Sequence, residues 1–185
     1  VSRSDFKIPF RFWNSGASSV EIPFEASSEL IKSVIKKNNL NISDLAAIIV
    51  EPIQGRSGVN IPQEKWLSGL QVLCESNSAF LILDEIFIGL GRTGKISYAE
   101  DVPADIVCWG KAMGGGFPVS ACLMSEKAMN VWPVSPGEAL HTATFFGHPY
   151  SCVAAKTQIQ QIVERHLVGN SLQLGIFAKN FLDDR

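Results

Sequence analysis

The chain has 185 residues, of which 46% are hydrophobic and 18% charged, a composition typical of a globular domain with a buried core. Its 16 basic and 18 acidic residues give a formal net charge of −2 and are spread along the sequence, which argues against binding to nucleic acid or to anionic lipid. The longest apolar runs are far shorter than the roughly 20 residues of a membrane-spanning helix, so no membrane partner is expected.

Helical and strand-like segments alternate along the chain. The periodicity predicts helices over residues 28–38, 63–76 and 149–166, and helical spacing of apolar residues continues towards the end of the chain. Apolar runs predict strands at 45–51, 79–85, 105–110 and 119–125, with a glycine-rich loop between the last two. Strands that are apolar throughout and separated by helices indicate an α/β fold with a mostly parallel sheet and helices on both faces.

The cysteines and histidines do not suggest a metal site. Cys74, Cys108, Cys122 and Cys152 are widely spaced and form no C-x-x-C pair, which indicates neither a zinc site nor a disulfide framework and favours a reducing compartment such as the cytoplasm. The three histidines, at positions 141, 148 and 166, have no neighbouring cluster of cysteines or carboxylates. We therefore predict no metal.

Polar residues follow three of the predicted strands. Glu51 ends the first strand, Asp84 and Glu85 end the second, and Lys111 comes directly after the third. Ligands of such sheets bind outside the carboxyl ends of the strands, so these side chains are the first candidates for a site. Because strand side chains alternate, Asp84 and Glu85 point to opposite faces and only one is expected to face a ligand.

Lys111 is followed by three glycines in the run KAMGGGFP. These glycines allow a tight turn and keep neighbouring side chains away from the lysine amine. An amine and a carboxylate at one sheet edge suit a cofactor with an electrophilic aldehyde and a basic ring nitrogen.

Four motifs occur in order between Glu51 and Pro149 and carry a specific resemblance. They are EPIQG (51–55), DEIFIGLGRTG (84–94), GKAMGGGFPVSA (110–121) and HTATFFGHP (141–149). Together they resemble the class III, ω-amino-acid-type, aminotransferases, which depend on pyridoxal 5'-phosphate. The resemblance implies the type I fold, a homodimer with shared active sites, and transfer of an amino group from an amino acid, ω-amino acid or diamine to a keto acid.

The resemblance also implies roles for individual residues. Lys111 matches the catalytic lysine that carries the cofactor as a Schiff base, and Asp84 matches the aspartate that pairs with the pyridine nitrogen. Thr144 matches the threonine that reaches the cofactor phosphate of the neighbouring subunit. Glu51 matches a substrate-side glutamate that, in several members, pairs with an arginine.

Two features leave alternatives open. Phe87 occupies a position that is commonly glutamine in the family, where the glutamine lies near the ring hydroxyl of the cofactor. The chain also lacks the family's upstream phosphate-binding segment and its C-terminal small domain, so residues 1–185 are expected to be a partial large domain. A noncatalytic fragment or degenerate relative, and an aminomutase or decarboxylating member of the same fold, remain alternatives to a transaminase.

Overall fold

The computed structural model, which describes residues 18–56, 58–131, 134, 137 and 143–184, contains both helices and strands. The strands are β1 (Ala47–Val50), β2 (Phe80–Asp84), β3 (Ile106–Trp109) and β4 (Ala121–Met124). The helices are α1 (Ser28–Lys37), α2 (Trp66–Ser76), α3 (Glu126–Met129), α4 (Pro149–Glu164) and α5 (Leu167–Asp183). Each predicted strand and helix is present, with bounds shifted by a few residues.

The ends of α1 and α4 show why these segments are helical. The Ser27 side chain accepts a hydrogen bond from the backbone N–H of Leu30, and Glu29 lies in the first turn of α1. Both features stabilise a helix N-terminus, where backbone N–H groups lack partners within the helix. Pro149 begins α4, a position where its missing N–H costs no hydrogen bond.

The four strands form one sheet in the order β1-β2-β3-β4. The pairs β1–β2 and β2–β3 are parallel, whereas β4 is antiparallel to β3. Residues 110–120 connect β3 to β4, and this is too short for a parallel crossover, which takes about a dozen residues or more and usually a helix. The prediction of a mostly parallel sheet is confirmed, with an antiparallel strand at one edge.

The core lies between one face of the sheet and the helices α1 and α2. Ile31 of α1, Leu70 of α2, and Leu81 and Leu83 of β2 are all 1% exposed or less. Full burial of a side chain of this size stabilises the fold by about 1.5–3 kcal/mol. On the opposite face Ile49 is 65% exposed, so the described residues cover only one face of β1.

The last two long helices lie against the loops at the carboxyl ends of the strands. Helix α4 contacts the 3-10 turn Lys111–Gly114, and helix α5 packs its residues Val168 and Leu172 against Gly91 and Gly94. These helices therefore support the loops that carry the candidate site. Across the described ranges, no helix combines the length and apolarity needed to cross a bilayer.

Candidate active site

Asp84 and Glu85 lie on opposite faces at the end of β2, as the alternation of strand side chains predicts. The Asp84 side chain is partly exposed and pairs in register with Cys108 of β3. Its Oδ1 accepts a hydrogen bond of 3.1 Å from the backbone N–H of Ile86, which fixes the orientation of the carboxylate. Asp84 is thus the more accessible of the two carboxylates at this edge.

Glu85 is 1% exposed and lies among hydrogen-bond donors on the other face. Its Oε1 accepts from the Ser97 hydroxyl (2.9 Å) and the Tyr98 backbone N–H (2.7 Å). Its Oε2 accepts from the indole N–H of Trp109 (3.1 Å). Glu85 therefore ties the loop after β2 to the end of β3, two residues before Lys111, a role that sequence reasoning did not assign to it.

Lys111 begins a 3-10 turn directly after β3, and its side chain is exposed. Its backbone has φ of 40°, in the left-handed region, which costs a residue other than glycine about 1–3 kcal/mol. Such strain persists only where the surrounding structure enforces it, and it is concentrated at functional sites. Other non-glycine residues of the described ranges, Val59 and Leu90 among them, also have positive φ, so the strain supports a functional role for Lys111 only together with its position at the end of β3.

Phe87 lies between Lys111 and the loop that contains Glu51. Lys111 Nζ is 5.1 Å from the centroid of the Phe87 ring, within range of a cation–π contact. The ring also covers Gly55, where an added Cβ would overlap Phe87 Cδ1, so a larger residue at position 55 would require the ring to move. Glu51 Oε2 accepts a hydrogen bond of 3.3 Å from the Gly55 N–H.

These contacts bring Glu51, Phe87 and Lys111 to one place, and the Asp84 carboxylate ends the strand next to that of Lys111. Within the described part of the chain, neither the Lys111 amine nor the Asp84 carboxylate forms an ion pair. An accessible amine and an accessible carboxylate at one sheet edge fit the aldehyde and the basic ring nitrogen of pyridoxal phosphate.

Thr144 lies in an exposed loop just before α4. Its neighbours Phe145 and Phe146 are 77% and 61% exposed. Of the histidines, His141 lies outside the described residues, while His148 Nδ1 is 3.3 Å from the Ser151 hydroxyl oxygen. Among the residues with described positions, no group of three or more His, Cys, Asp or Glu side chains has the arrangement of a metal site.

Comparison with known families decides the relationship. The sequence profile described as "Aminotransferase class-III" matches residues 10–185. The chain belongs to the class III aminotransferases. Ornithine aminotransferase 2 of Staphylococcus aureus (strain MRSA252) is 40% identical over 158 residues, which cover 83% of this chain and 37% of that relative.

Solved structures of class III enzymes are similar in fold. An acetylornithine aminotransferase from Elizabethkingia anophelis is 34% identical, with a TM-score of 0.76 over 88% of this chain and 41% of that one. An ornithine aminotransferase from Plasmodium yoelii is 32% identical, with a TM-score of 0.70 over 83% of this chain and 39% of that one. The predicted fold class is confirmed, and the chain spans well under half the length of these relatives.

Proposed function

We propose that the protein containing this chain is a pyridoxal-phosphate-dependent aminotransferase with Lys111 as its catalytic residue. The observation that carries the proposal is the exposed amine of Lys111, on a strained backbone at the end of β3, beside the strand that ends in Asp84. Residues 1–185 form, in this proposal, part of the cofactor-binding large domain. The four free cysteines remain our reason for expecting a cytoplasmic protein.

The cofactor, when bound, supplies an aldehyde carbon that takes up an amino group and an electron-poor ring that stabilises negative charge. Lys111 holds the aldehyde end through Nζ and, when free of it, moves a proton to and from the substrate carbon. The Asp84 carboxylate accepts a hydrogen bond from the protonated ring nitrogen. Because Ile86 N–H already orients this carboxylate, the hydrogen bond needs little rearrangement.

Glu51 and Phe87 form the side of the pocket next to Lys111 in this proposal. Glu51 has one carboxylate oxygen bound to the Gly55 N–H, and its other oxygen is a candidate acceptor for the substrate side. The Phe87 ring has no hydrogen-bonding group, so it makes an apolar wall where relatives commonly have a glutamine amide. We propose that this wall affects which donors enter.

The proposed assembly is a homodimer in which Thr144 acts across the subunit interface. Thr144 and the two exposed phenylalanines after it lie on a loop that leaves their side chains accessible to a second subunit. The threonine hydroxyl is then a hydrogen-bond donor for the phosphate of the cofactor in the partner's site.

We propose an ω-amino donor of the ornithine type and a keto acid acceptor. The support is that the similar proteins are named as ornithine and acetylornithine aminotransferases. Ornithine, N-acetylornithine and 4-aminobutyrate, each assayed with a keto acid, compare this donor class with another ω-amino acid. Faster conversion of 4-aminobutyrate than of both ornithine compounds would contradict the donor proposal alone.

The activity itself is tested with the intact protein and two lysine variants. Lys111→Ala is expected to lower the rate of amino transfer by at least about a thousandfold, because it removes both the cofactor attachment and the proton-transferring group. Lys179→Ala, which removes another exposed lysine, on α5, should leave the rate unchanged.

Four outcomes would contradict the proposed function. Full activity in Lys111→Ala would remove the catalytic assignment, and absence of any amino transfer by the intact protein would favour a noncatalytic relative. Release of carbon dioxide, or an amino group that moves within one molecule, would instead identify a decarboxylating enzyme or an aminomutase.

A further inference from the structure

Cys108 and Cys122 are direct neighbours across the β3–β4 pair, although 13 positions separate them in the sequence. Both side chains project from the sheet face that carries Asp84, since Asp84 pairs with Cys108 in register. Both are free thiols; Cys122 is exposed and Cys108 is half-buried. The antiparallel pairing of β4 with β3 therefore brings two thiols together, which the sequence spacing does not reveal.

The backbone hydrogen bonds show which kind of cross-strand pair this is. The Cys108 carbonyl points away from β4 and accepts from the Glu85 N–H on the β2 side. The Ser125 N–H donates to the Asp105 carbonyl, so these two facing residues, three positions along the strands from Cys108 and Cys122, form a hydrogen-bonded pair. Since paired positions alternate, Cys108 and Cys122 occupy a non-hydrogen-bonded pair, in which the Cα atoms lie about 4.5 Å apart and side chains are close.

This separation permits a disulfide but does not favour an unstrained one. Disulfides span Cα–Cα distances of about 4.4–6.8 Å, so the pair lies at the short end of the range. Strained or exposed disulfides are more easily reduced than relaxed buried ones. A bond formed here would therefore open again under mild reduction.

The two thiols differ in reactivity. Burial, the adjacent Cys122 thiol and its hydrogen bond, and the Asp84 carboxylate raise the pKa of Cys108 to about 11. These are the titratable groups that face Cys108 from its two neighbouring strands. The exposed Cys122 is thus the thiol that an external reagent meets first, and Cys108 is the thiol that reacts second.

We propose that Cys108 and Cys122 form a redox-active dithiol site that reacts with low-molecular-weight disulfides and closes to a reversible intramolecular disulfide. The Cys122 thiolate attacks one sulfur of the small disulfide, whose S–S bond breaks and releases one thiol. The Cys108 thiolate then attacks Cys122 Sγ in the mixed disulfide and releases the second thiol. The protein dithiol is oxidised and the small disulfide is reduced, so no other oxidant is needed.

The test treats the intact protein, as its gene encodes it, with hydroxyethyl disulfide at about pH 9, where more of Cys108 is thiolate. Remaining thiols are blocked with N-ethylmaleimide in acid, and the protein is digested with trypsin. Cleavage after Lys95, Lys111 and Lys127 gives peptides 96–111 and 112–127, each with one cysteine. We expect these peptides to be joined by a disulfide, and a few millimolar dithiothreitol to separate them.

Single-cysteine variants distinguish closure from simple adduct formation. Cys108→Ser should stop at a mercaptoethanol adduct on Cys122, and Cys122→Ala, at an exposed position, should lose the linked peptides. Cys152→Ser removes an exposed thiol on α4 and should close like the wild type. A persistent adduct on Cys122 in the wild type, an unreactive Cys122, or a link between two chains would overturn the proposal. None of these results depends on cofactor binding or on amino transfer.

Discussion

Glu85 shows how one side chain fixes the geometry around a neighbouring site. A buried carboxylate without a cation is costly unless donors surround it, and here three donors come from two different segments. One of them, the Trp109 indole, belongs to the residue that ends β3. Glu85 thus holds the start of the Lys111 turn from the side of the sheet opposite Asp84.

Replacing Glu85 tests this role. Glu85→Ala leaves the Ser97 hydroxyl, the Tyr98 N–H and the Trp109 indole N–H without their acceptor, so the free energy of unfolding should fall by about 3 kcal/mol. Urea denaturation of the intact protein measures the change. Glu75→Ala, at an exposed site on α2, should change the stability by less than about 0.5 kcal/mol. Equal stabilities of the two variants would mean that the three hydrogen bonds contribute nothing.

At the same scale, sequence reasoning predicted some contacts and missed others. The opposite orientation of Asp84 and Glu85 followed from strand alternation alone. The departure at Phe87 was visible, but its contact with Gly55 was not, because two loops from different strands have to meet before the ring covers the glycine. The backbone strain at Lys111 likewise depends on the folded turn.

At the scale of elements, the apolar runs were sufficient to predict all four strands. Their register was not predictable, because it depends on how neighbouring strands pair rather than on any one strand. The antiparallel direction of β4 and the resulting Cys108–Cys122 pair could not be predicted for the same reason. Coverage of both sheet faces was expected, yet the described residues leave Ile49 exposed on one of them.

At the scale of the whole molecule, the proposed homodimer predicts that two inactive variants complement each other. If Lys111 and Thr144 act in the same site from different subunits, a heterodimer of Lys111→Ala and Thr144→Ala contains one site with both native residues. At a cofactor concentration low enough to leave Thr144→Ala inactive, co-refolding equal amounts should then restore about a quarter of wild-type activity, because half of the dimers are mixed and each has one intact site.

The same mixing experiment also shows whether Thr144 serves the site of its own subunit instead of the site of its partner. Thr144→Ala alone is expected to weaken cofactor binding at least about tenfold through the lost hydrogen bond to phosphate. If Thr144 served the site of its own subunit, no mixed dimer would contain an intact site, and activity would stay at the level of the separate variants. A monomeric protein in sedimentation measurements would contradict the assembly directly.

The central claim is that Lys111 carries the cofactor, and chemical labelling tests it most directly. The intact protein is incubated with pyridoxal phosphate, reduced with borohydride and digested with trypsin. A modified Lys111 resists cleavage, so the account predicts a single labelled peptide spanning residues 96–127. In Lys111→Ala the same span also stays uncut, because the cleavage site is gone, but it should carry no label. Label distributed over the other lysines, with peptides 96–111 and 112–127 recovered separately and unmodified, would contradict the account.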